Sequence, residues 1–173
     1  MLAIELLQTL DEHRRWARAR VIARCETLPH ERLRESFEMG VGSVWGTLVH
    51  MYGAELVWLD AIEEVSGNRF PDADDFADLA ALRSAWTPLD ERWSTWIAAA
   101  DDSSLRRMRS RTNRQGVTVS TEQHEIVLHV HTHAMYHLAQ VTNMLRRLGV
   151  DDLPGVDLIT MARDRHAGQR PAV

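Results

Sequence analysis

The chain has 173 residues, with 20 Lys plus Arg against 25 Asp plus Glu and a formal net charge of −5. That length suits one domain that buries a core without staples, and an acidic balance argues against nucleic acid as the main partner. A single cysteine excludes an internal disulfide, and no apolar run approaches the roughly 20 residues that span a bilayer. The segment Met1–Gln8 carries Glu5 and no basic leader, so it does not read as a signal peptide, and the cytoplasm is the expected compartment.

Residues 2–28 read as a first helix. Leu6, Leu10, Ala17, Val21 and Leu28 form its apolar stripe, widened by Leu7 and Trp16. Arg14, Arg15, Arg18, Arg20 and Arg24 mostly fall off the stripe and read as a solvated basic face. Cys25 reads as a small core residue, and Pro29 ends the helix. Residues 30–42 are a connection leading to Ser43, a good N-cap. A second helix is expected over about 43–65, with Gly67 as its stop. Its row Gly46, His50, Gly53, Ala54 is small around the histidine, which predicts a close helix contact or a small pocket.

A polar loop spans 67–75. The third helix is predicted over roughly 76–100, from Leu79, Leu82, Trp86, Leu89, Trp93 and Ile97, with Pro88 kinking or dividing it. The tryptophans at 86 and 93 read as core. Residues 101–120 turn β-branched and polar, and Asn113–Gly116 looks like the turn of a short hairpin. A last long helix is expected from Thr121 to Leu148, capped by Gly149, then a short helix from about Gly155 to Arg165 and a frayed tail from His166. The whole predicts an all-α, antiparallel four-helix bundle with a short hairpin before the last long helix and a short C-terminal helix. Residues 1–165 would form one domain and 166–173 a tail.

Four of the nine histidines fall within His129–His137. On a helix, residues four apart share a face. With His133 at the origin of a helical wheel, His137 and His129 lie about 40° to either side and Gln140 falls between His129 and His133. His131 and His124 fall on the opposite face and are expected in solvent. His13, His30 and His166 lack a second histidine at ligand spacing and read as structural or exposed. Two imidazoles at this spacing suit a metal, with His50 as a third from another helix. By spacing alone, 129/133 and 133/137 serve equally well.

Several segments in order resemble the DinB/YfiT-like metalloenzyme family. They are Arg15-Trp16-Ala17; Thr47-Leu48-Val49-His50-Met51-Tyr52-Gly53-Ala54-Glu55 with Trp58, similar to "TLxHxxxAExxW"; Leu82 to Trp86, similar to "LRxxW"; Leu128 to Gln140, similar to "LxHxxNHxxxHRGQ"; and Leu145 to Gly149 followed by Pro154 and Asp157-Leu158-Ile159. The resemblance covers about residues 4–165. It implies a bundle whose metal ligands are His50, His133 and His137, with His129, Gln140 and Trp16 as supporting or pocket residues. The chain departs from the family at Leu138-Ala139, where the family often has Arg-Gly, and at Thr132, where Asn is common. The missing arginine removes a basic group that the resemblance would place near the site.

The resemblance also implies a divalent metal, with zinc expected and nickel, iron or copper compatible with three imidazoles. It implies a small-molecule substrate, a homodimer, and a thiol S-transferase using bacillithiol, mycothiol or glutathione on an electrophile, in a cavity lined by the first, second and last long helices. Two alternatives stand beside it. One is a metal-dependent hydrolase, for which Glu55 is the nearest acid to His50 but lies some 140° around the helix. The other is a non-catalytic, stress-associated metal-binding protein.

Overall fold

A computed structural model describes residues 2–67, 69–112 and 116–167. Its long helices are α1 (Leu2–Cys25), α3 (Val44–Glu63), α4 (Leu79–Ala99) and α6 (Gln123–Arg147). Short helices α2 (His30–Leu33), α5 (Asp102–Leu105) and α7 (Leu158–Ala167) join or follow them, and strands β1 (Met108–Thr112) and β2 (Thr118–Glu122) pair antiparallel. Three residues of the expected hairpin turn, 113–115, and most of the expected tail lie outside the described residues. Among the described residues, no helix is long and apolar enough to cross a membrane.

The four long helices form the predicted four-helix bundle, in which not every neighbouring pair is antiparallel. α1 and α3 each pack against both α4 and α6, so α1 and α3 sit on a diagonal. Side-chain pairs give the directions. Arg18 meets Asp90 while Asp11 meets Ser94, so α1 and α4 are antiparallel. His50 meets His133 while Trp58 meets His129, so α3 and α6 are antiparallel. α1 and α6 run in the same sense, with Leu6 beside Leu128 and His13 beside His131. The core is filled by Trp45, Leu48, Leu59, Leu82, Trp93, Ile126, Leu138 and Leu145, and Trp86 and Trp93 are core as expected. Cys25 is also buried there, and burial pushes its thiol pKa up to about 12.

Local chemistry sets the ends. Ser43 caps α3, its side chain accepting from the Gly46 amide. α3 stops before Gly67, because Glu64 takes a left-handed conformation and returns its amide to Asp60. Asp78 caps α4, which therefore begins at Leu79 rather than near 76. Pro88 does not divide α4, which runs on to Ala99. Thr121 and Glu122 belong to β2, so α6 starts two residues later than expected. Gly149 closes α6 with a positive φ, as expected.

The expected basic face of α1 is partly an interior. Arg14 is 2% exposed and Arg18 is also buried. Both guanidiniums reach across the diagonal to Glu55, itself 2% exposed, on α3. Arg14 also donates to Asp11 at 2.7 Å, Arg18 pairs with Asp90, and Trp86 donates its indole N–H to Glu55 at 2.9 Å. Burial opposes the charge of Arg14, but Glu55, Asp11 and Asp90 outweigh it and hold its pKa above the ordinary value. Periodicity cannot report this, since an arginine off the apolar stripe looks the same whether it meets water or a buried acid on another helix.

Candidate metal centre

His50 sits near the start of α3, and His133 and His137 sit one turn apart on α6. The antiparallel packing of these two helices brings the three rings together. The Nε2 of His133 lies 3.2 Å from the Nε2 of His50 and 3.1 Å from that of His137. One ring nitrogen from each of the three residues falls within a 4.8 Å group, and among the described residues no cysteine or carboxylate joins it.

Gln140 holds one of these rings. Its Oε1 lies 2.8 Å from His137 Nδ1. A carbonyl oxygen only accepts, so His137 carries its proton on Nδ1 and leaves Nε2 as a bare lone pair aimed at the cluster. The loop before α3 is fitted to this contact. Gly40 has φ +56°, and a Cβ there would stand 2.4 Å from Gln140 Oε1. The space predicted around His50 is taken by another segment. A Cβ on Gly53 would meet Phe70 and Pro71 at 2.7–2.8 Å, and the Phe70 ring lies 5.6 Å from His50.

The cluster's electrostatics favour neutral rings. Burial, then the proximity of His137, His50 and His129, pushes the His133 pKa down to about 3. Burial also lowers His137, with the Gln140 hydrogen bond opposing it, and lowers His129. Neutral imidazole is the form that ligates a metal.

His129 lies beside the group, its ring 5.4 Å from His133 and 5.3 Å from Trp58. Trp16 takes a different place, stacked on His13 at 5.9 Å with the Arg20 guanidinium also over its ring. His131, expected in solvent, is half-buried and bonds His13 at 3.0 Å. His13 gives its other ring nitrogen to the Val156 carbonyl at 2.7 Å. Because α1 and α6 run side by side, the face of α6 opposite the cluster is covered too. His124, also expected in solvent, is half-buried against the Leu105 carbonyl of α5.

Glu55 points away from the cluster into the charge network, as its angle on α3 predicts. Leu138, where the family often has arginine, is 0% exposed in the core. A side chain there faces the interior and not the accessible side of the histidines, so the substitution removes no exposed cation. Sequence reasoning missed Phe70, Gly40 and Tyr136, whose 63% exposed ring lies 5.1 Å from His137. Only Tyr136 carried a signal, as an aromatic neighbour of a candidate ligand.

A DinB family profile matches residues 4–165. The chain belongs to the DinB family. Protein DinB of Bacillus subtilis (strain 168) is 25% identical over 155 residues, covering 84% of this chain and 87% of that protein. A solved structure, YfiT from Bacillus subtilis, superposes with a TM-score of 0.58 at 18% identity, covering 86% of this chain and 89% of that one. YfiT is described as a probable metal-dependent hydrolase with an unusual four-helix bundle topology. The likeness carries the four-helix-bundle fold to this DinB-family chain.

Proposed function

We propose that this protein is a metal-dependent enzyme acting on a small molecule, with a divalent metal held by His50, His133 and His137, and that it transfers a low-molecular-weight thiol to an electrophile. The observation that carries the metal is the convergence of three ring nitrogens. Two imidazoles bound tetrahedrally at about 2.0–2.1 Å stand roughly 3.3 Å apart, and the two edges here are 3.2 and 3.1 Å. Three nitrogen ligands with no carboxylate suit zinc, with nickel or iron as alternatives. When bound, the metal supplies Lewis acidity that lets a thiol lose its proton near neutral pH.

The chain's own residues supply the rest. Gln140 fixes the tautomer and direction of His137. His129 is exposed and its lowered pKa keeps it neutral; it accepts the thiol proton at its unprotonated ring nitrogen and passes it to water. The sulfur then forms a bond to the electrophilic carbon, and the leaving group departs with its electron pair. Trp16, packed on His13, which bonds His131 on the far face of α6, is assigned a supporting role rather than contact with substrate. A homodimer is part of the proposal, supported by the exposed apolar residues Leu2, Leu6, Leu128, Leu158 and Ile159.

The description of YfiT as a probable hydrolase favours a second reading, in which water replaces the thiol. Against it stands the commitment of Glu55 to Arg14 and Arg18, which leaves His129 as the base for either reaction. Metal-loaded protein incubated with chlorodinitrobenzene, with and without glutathione, separates the two. Transferase predicts thiol-dependent aryl thioether, absent in His133→Ala. Thiol-independent release of dinitrophenol and chloride would support hydrolysis and overturn the transferase.

A further inference from the structure

β1 and β2 place a row of cations beside the candidate centre. Arg109 and Arg111 lie two residues apart on one face of β1. Ser110, between them, turns to the other face, where it bonds Ser120 at 2.8 Å. The two arginines differ in their surroundings. Arg109 is 12% exposed and donates to Glu64 at 2.8 Å. Arg111 is exposed, and among the described residues no carboxylate pairs with it. Its guanidinium instead lies over the Trp58 ring, 5.1 Å from the centroid. An aromatic face holds a guanidinium in place without neutralising it.

A continuous path connects this cation to the metal ligands. From Arg111 it crosses Trp58, then His129 at 5.3 Å, then His133 at 5.4 Å. His129 and Arg111 are exposed and Trp58 is half-buried, so the path is a surface that a ligand can follow. Beside it, a groove of about 580 Å³ opens between α3 and β1, lined by Arg109 and Arg111 with Val57, Ala61, Asp60 and Glu64. Both acids in the groove are already paired, Asp60 with Arg92 at 2.7 Å and Glu64 with Arg109. Among the described residues, Arg111 is therefore the uncompensated charge at this surface, in a chain whose net charge is −5.

We infer that Arg111 is a binding residue for a carboxylate on the thiol, so the thiol this enzyme takes is an acidic one, with its sulfur at the histidine cluster and its acid end on the α3–β1 side. The inference rests on the thiol-transfer reading above. The path from Arg111 to His133 runs over three steps of 5.1, 5.3 and 5.4 Å, with the carboxylate of the thiol placed at one end and its sulfur at the other. Arg111 also supplies from β1 the anion contact that position 138 does not.

The test uses full-length protein loaded with cobalt(II), whose sulfur-to-cobalt charge-transfer band reports thiol coordination without turnover. The probes are glutathione and its diethyl ester, which share the thiol and differ in the carboxylates. Wild type is expected to bind glutathione roughly three- to tenfold more tightly than the ester, the size of one charge-assisted contact at an exposed site. Arg111→Gln should remove that preference and leave ester binding unchanged, and Arg111→Lys should retain part of it. Arg111 is exposed, so both variants are expected to fold, and retained cobalt binding checks this. Equal binding of acid and ester by wild type, or a preference that survives Arg111→Gln, overturns the assignment of Arg111 alone. A cobalt-loaded protein that shows no band with either probe overturns the thiol reading and this inference with it.

Discussion

Replacing Gln140 tests whether the cluster is a built metal site. In Gln140→Ala, the 2.8 Å contact to His137 Nδ1 is lost. The imidazole is then free to rotate or to move its proton to Nε2, the atom that faces His133. Losing such a supporting hydrogen bond weakens metal affinity by about 10- to 100-fold, or about 1.4–2.7 kcal/mol. Gly40→Ala approaches the same contact from the other side. Its Cβ would stand 2.4 Å from Gln140 Oε1 at a φ of +56°, so it should displace the amide and also cost about 1–2 kcal/mol of backbone strain. The assay is zinc competition against a chromophoric chelator at neutral pH, with denaturant melts run in parallel. Gln140→Ala should lose affinity with little change in the metal-free melt, whereas Gly40→Ala should lose both. Affinity within twofold of wild type in Gln140→Ala would refute the reasoning that this amide holds His137 for a metal.

Other outcomes follow from the same geometry. Glu55→Ala removes the acceptor that Arg14 and Arg18 share, leaving them Asp11 and Asp90, and should destabilise the fold by about 1–3 kcal/mol in urea melts, while folded protein still binds metal; no measurable loss would mean the network is solvated. For His133, the folded pKa of about 3 lies below the ordinary imidazole value of 6.5. The unfolded chain therefore binds the extra proton between those values, and the stability of metal-free protein should be full above pH 6.5 and fall as pH drops toward 3. His133→Asn should flatten that decline, measured by melting temperature against pH; an unchanged slope would show that His133 does not contribute. Zinc in hundredfold excess over its dissociation constant should stabilise wild type by about 2.7 kcal/mol, and not His50→Ala. Light scattering should give twice the chain mass, and a monomer at micromolar concentration would contradict the dimer.

Much of the site was legible because its geometry is local. The four-residue step from His133 to His137 needs only a helix, and the place of Gln140 on the same face follows from the same wheel. The helices themselves were visible in their stripes and caps, as with Ser43 and Gly149. What could not be read was which elements lie opposite each other. The burial of Arg14 and Arg18 depends on Glu55 arriving from the diagonal helix, and the covering of His131 depends on α1 running alongside α6. Spacing could not choose between His129 and His137, because both lie one turn from His133. The packing of α3 separates them, bringing His50 to the 133/137 edge and Trp58 to His129. The ends of α3 and α4 were displaced by Glu64 and Asp78, single residues whose capping competes with the glycine and the apolar pattern.

Elemental analysis of untagged protein, for wild type and for His50→Ala, His133→Ala and His137→Ala, tests the central claim most directly. The three-histidine site predicts about one equivalent of divalent metal per chain in wild type and its loss in every variant that still folds. Wild type that stays metal-free after equilibration with zinc, or variants that keep a full equivalent, would contradict it.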